Sequence, residues 1–306
     1  MTNTQREKPV ILQIMESLKS RMDLTGNYLS YYYALHKGWE GECQYDRMLE
    51  KLTCEHIIMK DLQLKVNRTT IQIDTLVITA DRIYLYEIKN YVGSYIHEDE
   101  RFINCSTGNE ILNPIIQLSR TQVLFRQLLK QSGIHLSLEY FVVYINPQFT
   151  LYQTPHNQPY VFPNQITAHI KQLNSQCKSL TEQHSLLSER LKAMHTLDRY
   201  TVDLPVYSYD KLKRGMVCGN CQGTIEELTK RVYYCQGCGL KEESSKSILR
   251  HIVEYHQLFP NQKITTTAIQ EWCVLPSRKK VRTVLDRYLK KQGSYRWRYY
   301  DIHTYE

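Results

Sequence analysis

The 306-residue chain contains no apolar run near the roughly 20 residues that a bilayer-spanning helix requires. A membrane-embedded enzyme is therefore not expected. The opening stretch, "MTNTQREKPVILQIMESLKS", lacks both an apolar segment of signal-peptide length and a small-residue cleavage site, so a cytoplasmic setting is expected. No GxxxxGK(S/T) phosphate loop occurs, which counts against a nucleotide-hydrolysing or phosphotransfer enzyme. Internal repeats and low-complexity tracts are missing too. With 42% hydrophobic and 23% charged residues, the composition is that of a globular protein rather than a disordered one. The length suits two or three compact modules.

Two features of what is present carry information. The net charge of +8 is a moderate basic bias that favours a polyanionic partner, although many soluble proteins are as basic. The nine cysteines, in a compartment that keeps thiols reduced, read as metal ligands or core residues rather than disulfides.

Residues 8–35 have helical periodicity, with apolar spacing in "VILQIMESL" and an aromatic cluster in "YLSYYYAL". The glycines of "KGWEGECQYDRMLEKL" are expected to open a further helix, amphipathic through Tyr45, Met48, Leu49 and Leu52. Strand patterns follow in "HIIMKDLQL", "TIQIDTLVIT" and "RIYLYEIKN", with shorter pieces around "GSYIH" and "RFINC". A long helix starts at "NPIIQ", with Pro114 suited to its first turn and Gly133 to its end. The strand "LEYFVVYIN" closes this module. The order helix, three-strand meander, helix, strand predicts an α/β sandwich of one mixed sheet with flanking helices.

The hairpin over residues 72–90 carries three charges in an otherwise apolar pattern. With Ala80 and Asp81 in a tight turn, Thr79 pairs with Arg82 and Asp74 falls opposite Glu87. Opposed residues share a face, and Lys89, two residues on from Glu87, points the same way. Two facing carboxylates repel unless a positive charge lies between them; hard oxygen donors suit Mg²⁺ or Mn²⁺. Spacing alone leaves open a solvated hairpin with ordinary surface pairs.

"GWEGE" before a helix, then "QIDTLVI", "YEIKN" followed by a glycine, and "NPIIQ" opening a helix, together resemble the NERD (nuclease-related) domain over about residues 38–150. That family is assigned to the PD-(D/E)xK nuclease superfamily. The resemblance implies a restriction-endonuclease-like fold and a catalytic set of Asp74, Glu87 and Lys89. Glu42 matches the acidic residue of the first helix, and Gln117 a polar position that supports the site. Glu42, Asp74 and Glu87 would hold Mg²⁺. Thr75 stands where the family commonly has His, and Tyr86 precedes the Glu; neither removes a ligand. Asn113 has the ordinary reading of a helix N-cap.

Cys218-x2-Cys221 and Cys235-x2-Cys238, thirteen residues apart, supply four thiolates for one tetrahedral Zn²⁺ and resemble a zinc ribbon. Cys43, Cys54, Cys105, Cys177 and Cys273 are scattered and read as buried. His251 and His256 read as surface or packing residues rather than ligands.

Beyond them lie a short helix, a break at Pro276, a basic helix and a terminal strand pair. Arg278, Lys279, Lys280, Arg282, Arg287, Lys290 and Lys291 cluster there, with Val281, Val284, Leu285 and Leu289 on the apolar side. This looks like a helix-turn-helix unit docking on DNA through Arg278, Lys279, Lys280, Arg282 and Arg287, with "YRWRYY" adding rings able to stack. A solvated basic face is the alternative.

The expected organisation is N-terminal helices over 1–37, a NERD nuclease-like domain over 38–150 and a helical connector over 151–207. A zinc ribbon over 208–245 and a basic helical domain over 246–306 follow. The expected function is metal-dependent nucleic-acid hydrolysis, DNA preferred. The rival is a non-catalytic nucleic-acid-binding or regulatory protein with an inactive nuclease-like core.

Overall fold

In a computed structural model of the protein, residues 6–175, 178–196, 204–294 and 297–302 are described. The chain divides into two compact units, Met1–Glu7 with Ala34–Thr201, and Lys8–Tyr33 with Val202–Glu306. The structure thus groups the N-terminal residues differently from the expected 1–37 segment. The first helix, α1 (Val10–Arg21), belongs with the C-terminal residues, while the second, α2 (Gly26–Leu49), is divided between the units.

In the first unit α2 is followed by β1 (Ile57–Val66), β2 (Thr69–Ile78), β3 (Arg82–Lys89), β4 (Gly93–Glu98), β5 (Arg101–Asn104) and β6 (Glu110–Ile111). Then come α3 (Pro114–Gln131), β7 (Ser137–Tyr144), β8 (Phe149–Tyr152), β9 (Tyr160–Val161), α4 (Ile166–Asn174) and α5 (Glu182–Ala193). The main sheet runs β1-β2-β3-β7-β9, antiparallel as far as β3 and parallel from β3 through β7 to β9. This is the mixed sheet expected from the sequence. The shorter pieces, with β8, form a second sheet ordered β6-β5-β4-β8.

Alternation along β3 and β7 sends side chains to two different cores. Ile83, Leu85, Val142 and Tyr144 pack with Leu118, Phe125, Leu128 and Leu129 of α3. Tyr84, Tyr86, Ile88 and Val143 pack with Tyr45 and Leu49 of α2 and with Ile166, Ile170 and Leu173 of α4. Each such aliphatic side chain contributes about 1.5–3 kcal/mol on burial, so both faces of the sheet are held.

The glycines of "KGWEGE" do not open a new helix, because α2 runs unbroken through them. Gly41 serves a different end. A Cβ there would lie 2.6 Å from Asn90 Cβ and 3.2 Å from Ile145 Cγ2, so glycine permits the close approach of α2 to the ends of the strands. Asn113 caps α3 by accepting from Ile115 N at 3.1 Å.

The second unit contains a three-stranded antiparallel sheet of β10 (Ile225–Thr229), β11 (Val232–Cys235) and β12 (Lys241–Glu243). Next come α6 (Ser244–Leu258), α7 (Thr266–Cys273), α8 (Arg278–Tyr288), and the pair β13 (Lys290–Gln292) and β14 (Tyr299–Asp301). Arg21 of α1 is buried here. Its Nε and Nη2 donate to Glu254 Oε1 and Oε2 at 2.8 and 2.6 Å, and its guanidinium lies 4.1 Å from the Trp272 ring centroid. Trp272 Nε1 also donates to Glu254 at 3.2 Å. A buried charge pair is costly to break, which explains why α1 is committed to this unit.

Of the scattered cysteines, Cys54 and Cys273 are buried, but Cys43 is only half-buried and Cys105 is exposed. Cys177 and, in "YRWRYY", Tyr295 and Arg296 lie outside the described residues. Among the described residues no helix is long and apolar enough to cross a membrane.

Candidate functional site

The hairpin has the register read from its sequence. Pairing runs from Ile78↔Ile83 to Thr75↔Tyr86, and Thr79 N donates to Arg82 O at 2.9 Å in the turn. The ladder stops one step short of Asp74 and Glu87. There Asp74 Oδ2 accepts from Ile88 N at 2.8 Å, so a carboxylate takes the place of a strand carbonyl.

The neighbouring ladder is interrupted at the same level. Lys60 pairs with Thr75 and Leu62 with Ile73, while Asp61 between them adopts φ 50°. The interruption resets the alternation of both strands. Met59 and Leu62, three apart, join the same core, as do Ile73 and Leu76. A break of this kind re-aims side chains, and here it surrounds Asp74.

On β3, Glu87 and Lys89 share the face toward α3. Lys89 Nζ lies 2.6 Å from Glu87 Oε1 and 3.4 Å from Gln117 Oε1 of α3. From α2, Glu42 Oε2 accepts from Arg6 Nη1 at 2.9 Å. Arg6 also binds Asp46, one helical turn beyond Glu42, with Nε to Oδ2 at 3.0 Å and Nη2 to Oδ1 at 3.1 Å. Lys60 Nζ reaches Asp46 Oδ2 at 3.2 Å.

Burial raises the Asp74 carboxyl well above the usual range, and the charges of Glu87 and Glu42 raise it further against the opposing pull of Lys89. Burial also raises Glu42, to about 7; Arg6 opposes this, whereas Asp61, Glu87 and Asp46 add to it. Burial pulls the Lys89 ammonium down, but Glu87, Tyr91 and Asp74 outweigh it and leave the group above the ordinary lysine range. Lys89 therefore stays charged at neutral pH.

The five expected site residues meet in one neighbourhood. However, the carboxylates of Glu42, Asp74 and Glu87 are not drawn into a compact ligand set: among the described residues, only the four cysteines bring three or more ligand atoms within 4.8 Å of one another. Glu42 is turned to Arg6 and Glu87 to Lys89. Sequence reasoning missed Arg6, Asp46 and Asp61. Asp46 carried a usable signal, four residues after Glu42 and hence on the same helix face. Asp61 carried one in the adjacent polar pair Lys60–Asp61, which breaks the strand alternation; Arg6 carried none.

Cys218 and Cys238 Sγ are 3.6 Å apart, and Cys221 and Cys235 Sγ 3.4 Å apart. Gly239, at φ +73°, allows the second knuckle to turn. Hydrogen bonds from Leu240 and Asn220 draw Cys238 down to about 6. At Cys221 a Gly223 backbone hydrogen bond favours the thiolate, but Cys235 and Cys238 push it up to about 12. With the sheet of β10, β11 and β12, the cluster fits a zinc ribbon. His251 is wholly buried between Val217 N and Ser247 O, a packing residue as expected.

The basic residues of α8 have differing surroundings. Lys279 and Arg287 are exposed. Arg278 Nη2 donates to Thr267 Oγ1 at 2.6 Å, and Arg282 Nε lies 3.6 Å from Asp286 Oδ2. Lys280 Nζ is instead bound to Glu227 of β10 at 2.9 Å and lies 4.8 Å from the centre of the Tyr233 ring.

A buried acidic cluster with a lysine thus lies where the β1–β2 and β2–β3 ladders are interrupted. Residues 37–145 match the family described as "Nuclease-related domain" (NERD), so the chain carries a nuclease-related domain. Comparison with curated proteins gives no match. Among solved structures, the chain is similar to the small subunit (R.BspD6I2) of the heterodimeric restriction endonuclease R.BspD6I. The two are 15% identical, with 60% of this chain and 86% of that chain covered and a TM-score of 0.22.

Proposed function

We propose that the protein is a metal-dependent nuclease that hydrolyses phosphodiester bonds in nucleic acid, DNA in particular, and works in the cytoplasm. The observation that carries this reading is the meeting of Asp74, Glu87 and Lys89 at the end of the β2–β3 ladder, inside a nuclease-related domain.

The residues fit a hard divalent cation, Mg²⁺ or Mn²⁺. The donors are carboxylate oxygens, and Asp74 and Glu42 are held above their usual range by burial and mutual repulsion, which a cation would relieve. Asp74, Glu87 and Glu42 would hold it. Bound there, the ion would polarise the phosphate and make its water more acidic. Lys89, charged and oriented by Glu87 and Gln117, would stabilise negative charge developing on the phosphate.

The second unit would bind the nucleic acid. Its four thiolates would hold one structural Zn²⁺, and α7, α8 and the β13–β14 pair would act as a helix-turn-helix unit. Arg278, Lys279, Arg282 and Arg287 would meet phosphates.

The test is incubation of the purified protein with plasmid, linear and single-stranded DNA, with and without Mg²⁺ or Mn²⁺. Cleavage that needs the metal and is lost in Asp74→Asn is expected. Binding without cleavage under any of these conditions favours the rival reading of a non-catalytic nucleic-acid-binding protein.

A further inference from the structure

We propose that Arg6 is a positioning residue for the divalent-cation site, acting through Glu42. The proposal rests on the metal-dependent nuclease reading. Arg6 lies outside the matched residues 37–145, yet its side chain is only 2% exposed and sits within the acidic cluster.

Its guanidinium is fixed on three sides before it reaches Glu42. Asp46 takes Nε and Nη2 in a fork at 3.0 and 3.1 Å. Nη2 also donates to Asp74 O at 2.9 Å and to Thr75 Oγ1 at 2.8 Å. These bonds tie α2 to β2 at the level where the ladder breaks and hold the planar group in one orientation. Nη1 is then aimed at Glu42 Oε2, at 2.9 Å. Arg6 engages Oε2 alone, and Oε1 lies outside the fork.

A lysine could not do this. Lys60 reaches Asp46 with one ammonium, but only a rigid fork spans Asp46, the β2 backbone and Glu42 at once. Nor does the geometry suit a displaceable stand-in for the metal, since three of the four partners are structural and the side chain is buried. Partners that orient metal ligands in this way typically change affinity by about 10–100-fold when removed.

The experiment is calorimetric titration of Mn²⁺ into the full, zinc-loaded chain: wild type, Arg6→Met, Arg6→Lys, Glu42→Gln and the Arg6→Met/Glu42→Gln double variant, with Asp74→Asn as control. Arg6→Met is expected to weaken the Mn²⁺ Kd by about ten- to a hundredfold. In the Glu42→Gln background the same change should add less than about twofold, because the two residues act as one unit. Arg6→Lys, which keeps the charge but not the fork, should also bind more weakly than wild type. It decides the matter if circular dichroism shows Arg6→Met unfolded. A wild-type Kd in folded Arg6→Lys overturns the proposal, as does an equal loss from Arg6→Met in both backgrounds. If wild type and Asp74→Asn titrate alike, the metal-site reading itself falls, and this proposal with it.

Discussion

The acidic site and the cysteine cluster assemble in opposite ways. The four thiols come from residues 218–238, two tight knuckles on a small sheet. The acidic site draws Arg6 from the N-terminal segment, Glu42 and Asp46 from α2, Asp74, Glu87 and Lys89 from the hairpin, and Gln117 from α3. It also contains its own counter-cations in Arg6, Lys60 and Lys89. The cysteine cluster, on the zinc-ribbon reading, would rely on an ion to hold a sheet of three short strands. The acidic site lies between two hydrophobic cores that do not need one. Metal removal should therefore separate them.

The largest effect is expected at the cysteines. Structural Zn²⁺ at such a site carries about 10–16 kcal/mol of binding free energy, which is also folding free energy for the residues around it. Cys235→Ser, or chelation of the wild type, should unfold the ribbon while the thermal transition of the nuclease-related unit persists. Elemental analysis of protein purified without added metal checks the premise, and less than about half a zinc per chain would count against the site.

The next effect tests the other half of the comparison. Asn at position 74 can still accept the Ile88 N–H but brings no negative charge. Asp74→Asn should reduce metal-dependent cleavage by about a thousandfold, roughly 4 kcal/mol in transition-state terms. Its melting temperature without divalent metal should be equal to or above that of wild type, because a buried, repelled carboxylate has gone. A variant that melts early and cleaves normally would show that Asp74 is a structural bond only.

The same contrast explains what could be read in advance. The thiol cluster was legible because its ligands are close in sequence and their spacing alone specifies the geometry. The hairpin was legible through register counting, because Thr79 to Arg82 fixes every pair as far as Thr75↔Tyr86. The mixed sheet followed from strand and helix periodicity. Arg6 was not legible: a lone arginine before a helix has no local pattern, and its partners lie 36 to 69 residues away. Asp61 was hidden for another reason. The sequence "MKDLQL" sets two polar residues side by side, a slip in the alternation whose meaning only the paired interruption of β1 and β2 reveals. Gly41 was misread as a helix start because its true constraint, the approach of Asn90, is tertiary.

A smaller effect separates the histidine from the zinc chemistry beside it. Val217 N donates to His251 Nε2 at 2.9 Å and Nδ1 lies 2.7 Å from Ser247 O, so the neutral ring donates from Nδ1 and accepts at Nε2. Burial lowers its pKa to about 4, despite the opposing pull of Glu254. The folded chain thus binds this proton less readily than the unfolded chain. The contribution to stability is complete above the ordinary histidine range near pH 6.5 and lost as pH falls toward 4, roughly 3 kcal/mol in all. Thiolate ligation adds acid sensitivity of its own, so the informative quantity is a difference. His251→Gln, in the zinc-loaded state, should lose less stability than wild type between pH 7 and pH 5. Equal losses by urea unfolding would assign the whole acid response to the thiolates.

The smallest effect lies on the basic helix, where neighbouring lysines should behave differently. Lys279 is exposed on α8, whereas Lys280 is held by Glu227 and Tyr233 of the ribbon sheet. An ion pair of this partly exposed kind is worth about 0.2–1 kcal/mol, and the ring contact about as much again. Lys280→Ala should therefore lower the stability of the C-terminal unit slightly and leave the salt dependence of DNA binding unchanged. Lys279→Ala should do the reverse, leaving stability alone and reducing the slope of log affinity against log salt by about one, the signature of a single lost phosphate contact. Fluorescence-anisotropy titrations of a short duplex at several salt concentrations would measure both. Were the two variants to share the wild-type slope, α8 would be a solvated face, and the nucleic acid would have to be held elsewhere. Were Lys280→Ala alone to lower the slope, its bond to Glu227 would have to open on binding, exposing the ribbon's sheet to the same phosphates.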